Sequence, residues 1–215
     1  MEDVKQIDSV LFIKNFLSKD DCDYLINEYE TSDQKKLQEH CLHAFMGIVV
    51  ESTFKRISLQ PETKAFNIAH QSTKTMAKKW ISKLRKEKWM NSFALEEYLS
   101  YSHMYRLMCY EEGGWIHPHV DWNPFVVGSC TFNLNNDYEG GEFSFFNGKY
   151  TYKLDVGDAL IFPASPFWVH EIKTVTKGKR YSVNCFLTSM PLDNMIQITD
   201  QKLDISPDSQ FYYLK

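Results

Sequence analysis

The sequence predicts a mainly β fold with helices. Residues 93–190 read as a sandwich or jelly-roll core, residues 1–92 as a mainly helical supporting layer, and residues 191–215 as a tail, all in one domain. Three observations predict it. After Asn91 the chain breaks into short segments rich in β-branched and aromatic residues, separated by Gly, Asn, Asp and Pro turns. Residues 62–90 carry apolar side chains at steps of three and four. The composition includes 15 Phe, 12 Tyr and 5 Trp, which suits an aromatic-lined β core or pocket.

Taken in order, the stretch SVLFIKNFLSKDDCDYLINEYE predicts a short strand and then a helix. Ser18 caps that helix with Asp21 three residues on, and Leu25, Ile26 and Tyr29 share one face. Residues 31–60 are mixed, with FMGIVVEST and FKRISLQ as possible strands. A long helix follows from Glu62 to about Met90. Its apolar stripe is Phe66, Ala69, Thr73, Met76, Ala77, Trp80, Ile81 and Leu84. Its other face carries Lys74, Lys78, Lys83, Arg85 and Lys86, which reads as solvated surface. The β segments are then YSHMYRLMCY, CTFNL, GGEFSFF, KYTYKL, DALIFP, FWVHEIKTV and RYSVNCFLTS. Such spacing fits a sandwich or jelly roll and not βαβ units.

A chain of 215 residues is long enough for one substantial core. A net charge of −4 argues against nucleic acid or an anionic membrane surface as partner. The start, MEDVKQIDSV, lacks the basic-then-apolar layout of a signal peptide, and no apolar run approaches the ~18 residues needed to span a bilayer. The expected location is therefore cytoplasmic. The five cysteines are widely spaced without a CxxC, so neither a disulfide scaffold nor a thiolate zinc site is expected. Nothing in the sequence indicates an oligomeric state.

The stretch HPHVDW places His117, His119 and Asp121 at alternate positions. A lone H-x-D triplet arises easily by chance, and a histidine on a strand is often a hydrogen-bonded structural residue. On a strand, however, residues i and i+2 point to one face, so His119 and Asp121 can converge on one ion. Pro118 suits an edge or strand end. Two histidines and one carboxylate form the facial triad of non-haem Fe(II) oxygenases. The best further histidine is His170, in FWVHEIKTV. Ten residues on comes Arg180, followed at the same parity by Ser182 and Asn184. A hairpin centred near residue 175 would make His170 and Arg180 cross-strand neighbours, about 5 Å apart at Cβ. A guanidinium beyond a metal suits a ligand that chelates the metal at one end and offers a carboxylate at the other. The structural alternative is a core ion pair.

The segments CYEEGGWIHPHVDW, TFNLNNDYEGGEFSFF and LDVGDALIFPASPFWVHEIKTVTKGKRYSV together resemble the 2-oxoglutarate and Fe(II)-dependent dioxygenases, specifically the prolyl 4-hydroxylase-like branch. FLSKDDCDYLI resembles that branch's first helix. The resemblance covers roughly residues 9–190 and is strongest over 105–187. It implies a double-stranded β-helix core, Fe(II) held by His119, Asp121 and His170, and 2-oxoglutarate held at its far carboxylate by Arg180. It also implies cosubstrate contacts from Tyr110, Thr131 and Ser182. His117 is then surplus: a partner of the ligands, a substrate contact or an exposed side chain. Many prolyl hydroxylases have Lys where this chain has Arg180, which loosens the link to any one substrate.

The implied reaction consumes O2, decarboxylates 2-oxoglutarate to succinate and CO2, and hydroxylates an unactivated C–H bond, with ascorbate as a stimulant. The expected substrate is a peptidyl proline or another protein or amino-acid side chain. Trp115, Trp122, Phe143, Phe145, Phe162 and Trp168 are expected to shield the site. Tyr101, Tyr105, Arg106 and Trp122 are expected to face the substrate, and the loop from Trp122 to Cys130 is a candidate lid. Two competing readings are a non-catalytic jelly-roll metal-binding module and a zinc hydrolase. The latter lacks H-E-x-x-H and leaves Arg180 unexplained.

Overall fold

Alternation along the strands of one large antiparallel sheet builds the architecture, because it gives that sheet two apolar faces. The computed structural model describes residues 9–37, 40–51, 53–87, 91–121, 125–189 and 211–213. The N-terminal elements are β1 (Leu11–Ile13), α1 (Lys19–Thr31), β2 (Lys36–Leu37), β3 (His40–Leu42), β4 (Val49–Glu51), β5 (Lys55–Ser58), α2 (Lys64–Glu87) and α3 (Ser92–Tyr98). There follow β6 (Tyr101–Tyr110), β7 (Ile116–His119), β8 (Val126–Asn133), β9 (Glu139–Gly140), β10 (Phe143–Phe145), β11 (Tyr150–Tyr152) and β12 (Ala159–Pro163). The last are β13 (His170–Ile172), β14 (Val175–Lys177), β15 (Arg180–Thr188) and β16 (Phe211–Tyr213).

The large sheet runs β1-β12-β8-β15-β6-β5-β2, with β16 also paired to β6. A four-stranded sheet, β11-β10-β13-β7, faces it. On β15, Tyr181, Val183, Cys185 and Leu187 point to the helical side. There they join Leu107 and Cys109 of β6 and Phe132 of β8 in one core with Leu25, Met76, Trp80 and Leu84 of α1 and α2. The opposite face meets the small sheet in a second core that holds Tyr110, Leu160, Phe162, Phe143, Phe145 and Ile172. The result is helices, large sheet and small sheet in three layers, the antiparallel two-sheet arrangement of a jelly roll.

The N-terminal region is not helical throughout. β1 pairs with β12 and β5 pairs with β6, so it extends both edges of the large sheet. Ser18 caps α1 by accepting a hydrogen bond from the Asp21 N–H at 3.1 Å, and its own hydroxyl donates to the Asp21 carboxylate at 2.8 Å. α2 begins after Thr63, whose hydroxyl accepts from the Phe66 N–H at 3.1 Å. The buried face of α2 comprises Phe66, Ala69, Thr73, Met76, Ala77, Trp80, Ile81 and Leu84, with Ala65. Among the described residues, no helix is long and apolar enough to cross a membrane. Of the tail, residues 190–210 and 214–215 lie outside the described residues. Phe211–Tyr213 pairs antiparallel with Tyr101–His103.

The hairpin expected to join His170 to Arg180 does not form. His170 lies in the small sheet, between β10 and β7, whereas Arg180 opens β15 in the large sheet, between β6 and β8. The connection crosses from one sheet to the other, and β14 within it pairs with β9. Val175, fully buried there, is part of the second core. Burial of that valine and pairing to β9 hold the connection away from a two-strand hairpin.

Trp80 joins helix to sheet: it is 1% exposed and its indole N–H donates to the Ser9 carbonyl at 2.7 Å. Trp80→Ala is expected to cost about 3–5 kcal/mol of folding stability, read as a lowered urea midpoint. A loss under ~1 kcal/mol would mean that the helical layer contributes little to the stability of the sheet.

Candidate metal centre and cosubstrate cavity

His119 ends β7 directly opposite His170 of β13, and the two imidazole centroids are 4.3 Å apart. Asp121 follows two residues later. Its Oδ1 lies 3.6 Å from His119 Nε2 and its Oδ2 3.3 Å from His170 Nε2. One ligand atom from each residue falls within 4.8 Å of the others. The rings are oriented from behind: His119 Nδ1 bonds the His117 carbonyl at 2.8 Å, and His170 Nδ1 bonds the Trp168 carbonyl at 3.0 Å. A carbonyl can only accept, so Nδ1 carries the proton and Nε2 presents its lone pair to the shared centre. The Ser129 hydroxyl donates to Asp121 Oδ2 at 2.5 Å and fixes the carboxylate.

The electrostatics follow from this packing. Burial, reinforced by the neighbouring His170, holds the His119 imidazole below its ordinary value. Burial also opposes charge on His170, but the Asp121 carboxylate outweighs it and raises that group. Burial pushes the Asp121 carboxyl up, yet the adjoining histidines outweigh it and hold it well below the usual range. Asp121 is thus an anion facing two imidazole nitrogens. This two-nitrogen, one-oxygen donor set on one side of a centre suits a divalent iron with open positions.

His117 stands outside the cluster, contrary to the strict alternation expected of HPHVD. Between Ile172↔Ile116 and His170↔His119, β7 has one residue more than β13. This β-bulge around Pro118 resets the alternation, so that Ile116 and His119 both line the cavity. The His117 ring instead packs on Trp115 at 3.7 Å and near His43 at 5.1 Å. Its contribution to the centre is its main-chain carbonyl.

A cavity of about 170 Å³ joins the triad to Arg180. Phe143, Phe162, Ile172 and Met108 supply apolar wall, and Tyr110, Thr131 and Asn184 line it as well. Arg180 is 1% exposed. Its Nη1 donates to Ser182 Oγ at 3.3 Å and its guanidinium lies 5.4 Å from the Tyr110 ring, while Nε and Nη2 have no partner. A buried guanidinium with two unpartnered nitrogens is costly unless an anion meets it. An anion entering the cavity would meet those two nitrogens.

The other expected residues divide. The Thr131 hydroxyl donates to the Val183 carbonyl at 3.2 Å while its side chain borders the cavity. Ser182 touches Arg180 but does not line the cavity. Arg106 lines it, donating through Nε to Asn184 Oδ1 at 3.2 Å. Tyr105 does not face a substrate: it points to the helical side, where His70 Nδ1 is 2.9 Å from its hydroxyl. The reason is alternation along β6: Arg106, Met108 and Tyr110 line the cavity, so Tyr105 turns with Leu107 and Cys109 to the helical face. Phe143 and Phe162 form cavity wall; Phe145 packs behind them, Trp168 lies against Phe145 and Phe146, and Trp115 stacks on His117. Trp122 and the first part of the expected lid, residues 122–124, lie outside the described residues. The reading of the sequence missed Ser129, although it lies two residues before Thr131 on the same face of β8 and parity alone could have found it.

Comparison with known proteins agrees with this geometry. Residues 105–188 match the family model of the 2OG-Fe(II) oxygenase superfamily. A PKHD-type hydroxylase of Acaryochloris marina is 41% identical over 80 residues, 33% of this chain and 35% of that one. A PKHD-type hydroxylase of a Psychrobacter species is 34% identical over 82 residues, 36% and 31% of the two chains. The chain thus spans about a third of the length of the curated relatives it matches. Among solved structures, the viral collagen prolyl hydroxylase of Paramecium bursaria Chlorella virus-1, as its 2OG complex, has a TM-score of 0.61 at 17% identity, covering 85% of this chain and 97% of that one. A Trichoplax adhaerens prolyl hydroxylase, complexed with a peptide fragment of the hypoxia inducible factor oxygen degradation domain, has a TM-score of 0.64 at 15% identity, covering 90% and 88%. These likenesses show the fold. Residues 105–188 are thus similar to the 2OG-Fe(II) oxygenase superfamily, and the fold is shared with prolyl hydroxylases.

Two substitutions separate ligand from bystander. His170→Ala is expected to abolish stoichiometric Fe(II) binding in an anaerobic titration. His117→Ala is expected to leave affinity within about threefold, since its carbonyl remains. Loss of binding in His117→Ala alone would reverse the assignment.

Proposed function

We propose that the protein is an Fe(II)- and 2-oxoglutarate-dependent dioxygenase that hydroxylates an unactivated C–H bond of a protein or amino-acid side chain, with peptidyl proline the leading substrate. The observation that carries this reading is Arg180, a buried cation with unpartnered Nε and Nη2 on the same cavity as the His119–Asp121–His170 cluster. A metal-binding module without catalysis does not account for such a cation, and the sequence lacks the H-E-x-x-H of a zinc hydrolase. The peptide-bound Trichoplax neighbour supports a peptide or protein substrate over a free metabolite.

His119, Asp121 and His170 would hold Fe(II). When bound, Fe(II) and 2-oxoglutarate supply O2 activation coupled to formation of succinate and CO2. The chain's own residues set the stage for that chemistry. The Nδ1–H bonds to the His117 and Trp168 carbonyls fix both ring planes and leave Nε2 as the atom that faces the centre. Ser129 holds one Asp121 oxygen, leaving the other for the metal. Arg180 would bind the far carboxylate of 2-oxoglutarate with its two unpartnered nitrogens, the pairing that a planar guanidinium makes best. Tyr110, beneath the guanidinium, and Thr131 border the space the cosubstrate would fill. Phe143 and Phe162 would keep water from the reacting centre. Ascorbate would serve to keep the iron reduced.

The Fe(II)-loaded chain should release succinate from 2-oxoglutarate, faster with its substrate than without. A panel of proline-containing peptides and free amino acids, scored by succinate, should show acceleration by peptides. Arg180→Ala is expected to weaken 2-oxoglutarate binding about 100-fold, the order of magnitude for removing one partner of a buried charge pair, with Fe(II) affinity unchanged. Unaltered 2-oxoglutarate affinity in that variant would refute the carboxylate assignment.

A further inference from the structure

Arg180 is aimed with little help from its own head group. Its guanidinium makes a single hydrogen bond among the described residues, the 3.3 Å contact to Ser182. A side chain held so loosely at its tip must take its direction from its backbone and from the packing of its stem. The stem is confined: a Cβ at Gly141 would come within 3.0 Å of Arg180 Cδ. The residues on either side of it, Lys179 and Tyr181, are gripped by two side chains from elsewhere in the fold, one at their main chain and one at their side chains.

The first is Asn135, in the turn after β8 and 8% exposed. Its Nδ2 donates to the Lys179 carbonyl at 2.6 Å, and its Oδ1 accepts from the Tyr181 N–H at 2.8 Å. One carboxamide thus clamps the main chain immediately before and after Arg180. Asn135 is itself fixed: Nδ2 also donates to Asp137 Oδ1 at 2.6 Å, and its carbonyl accepts from Asn133 Nδ2 at 2.6 Å. The second is Glu30, near the end of α1. Its Oε1 accepts from the Tyr181 hydroxyl and, at 3.2 Å, from Lys179 Nζ. The Tyr181 ring also packs edge-on against Tyr29 with centroids 5.7 Å apart. Alternation along β15 makes this work: Arg180 points into the cavity while its neighbours point to α1.

We propose that Asn135 and Glu30 are positioning residues for Arg180, setting the direction of its guanidinium toward the far carboxylate of the cosubstrate. This rests on the reading of Arg180 under the proposed function. The inner clamp acts on the main chain and is the stronger. The outer one spans the helical layer and ties the docking of α1 to the cosubstrate end of the cavity, so that α1 serves the site without touching it.

A bare structural role for Asn135, as a turn-former, would weaken every ligand alike. The test therefore compares two keto acids by anaerobic calorimetry on the Fe(II)-loaded full chain: 2-oxoglutarate and 2-oxovalerate, which shares the chelating head but has a methyl in place of the far carboxylate. The affinity ratio between them isolates what Arg180 contributes. Asn135→Ala is expected to lower that ratio about tenfold, with 2-oxovalerate and Fe(II) affinities unchanged. Glu30→Ala and Tyr181→Phe, which change the outer clamp only, are expected to lower it about threefold each, and the double variant no more than Glu30→Ala alone. Equal weakening of both keto acids, or an unchanged ratio, would overturn the proposal. If Asn135→Ala does not fold, the two outer variants decide it by the same ratio. If Arg180→Ala leaves the ratio intact, the carboxylate reading itself has failed and the clamp falls with it; an intact ratio in the clamp variants alone removes only the clamp.

Discussion

The pairing of β7 with β13 is the constraint on which the site depends. It sets His119 opposite His170 and so brings together two imidazoles separated by fifty residues of chain. Neither strand is long, and the register is held by the apolar contacts of Ile116, Ile172 and Phe143 within the second core. Because strand side chains alternate with a period of two, a one-residue slip would turn a histidine to the outer face. The bulge around Pro118 is therefore functional geometry, since it lets Ile116 pack inward and still delivers His119 to the centre. It also leaves the His117 carbonyl where it can orient the ring that follows.

The large sheet supplies the complementary end. Its face toward the helices is uniformly apolar along β15, but its inner face carries Arg180, Ser182 and Asn184 in succession, with Arg180 and Asn184 lining the aromatic-walled cavity. Burying an arginine costs several kcal/mol unless its charge is matched. Two sheets packed face to face exclude water and so create that cost, which a dicarboxylate lying between a metal and the guanidinium would offset under the proposed function. A low-dielectric cavity strengthens both interactions. The affinity that results depends on direction as much as on charge, because two parallel hydrogen bonds to a carboxylate require a fixed plane.

Much of this was legible in the amino-acid sequence. The three-and-four period over Phe66 to Leu84 named the buried face of α2, and Ser18 with Asp21 marked the start of α1. The H-x-D spacing and the distant His170 sufficed to name the three residues that the fold brings together, because His and Asp at that spacing stand out by residue type. What was not legible is what depends on non-local pairing. A ten-residue gap between His170 and Arg180 looks like a hairpin, and nothing local reveals that β14 pairs with β9 and carries the chain to the other sheet. Alternation placed His117 with His119, and the bulge around Pro118 separated them; Tyr105 was expected beside a substrate from nearness in sequence, whereas alternation with Arg106 turns it to the helices. Ser129 and Asn135 act by hydrogen bonds that ordinary turn and strand residues also make, so their types alone drew no attention.

Under the proposed function, one metal and one dicarboxylate sit at opposite ends of a single cavity. An anaerobic crystal structure with Fe(II) and 2-oxoglutarate, using anomalous scattering at the iron edge, would locate both. One iron peak is expected within bonding distance of His119 Nε2, His170 Nε2 and an Asp121 oxygen, with the far carboxylate of the cosubstrate paired to Arg180. An iron peak elsewhere, or a cosubstrate whose far carboxylate avoids Arg180, would contradict it.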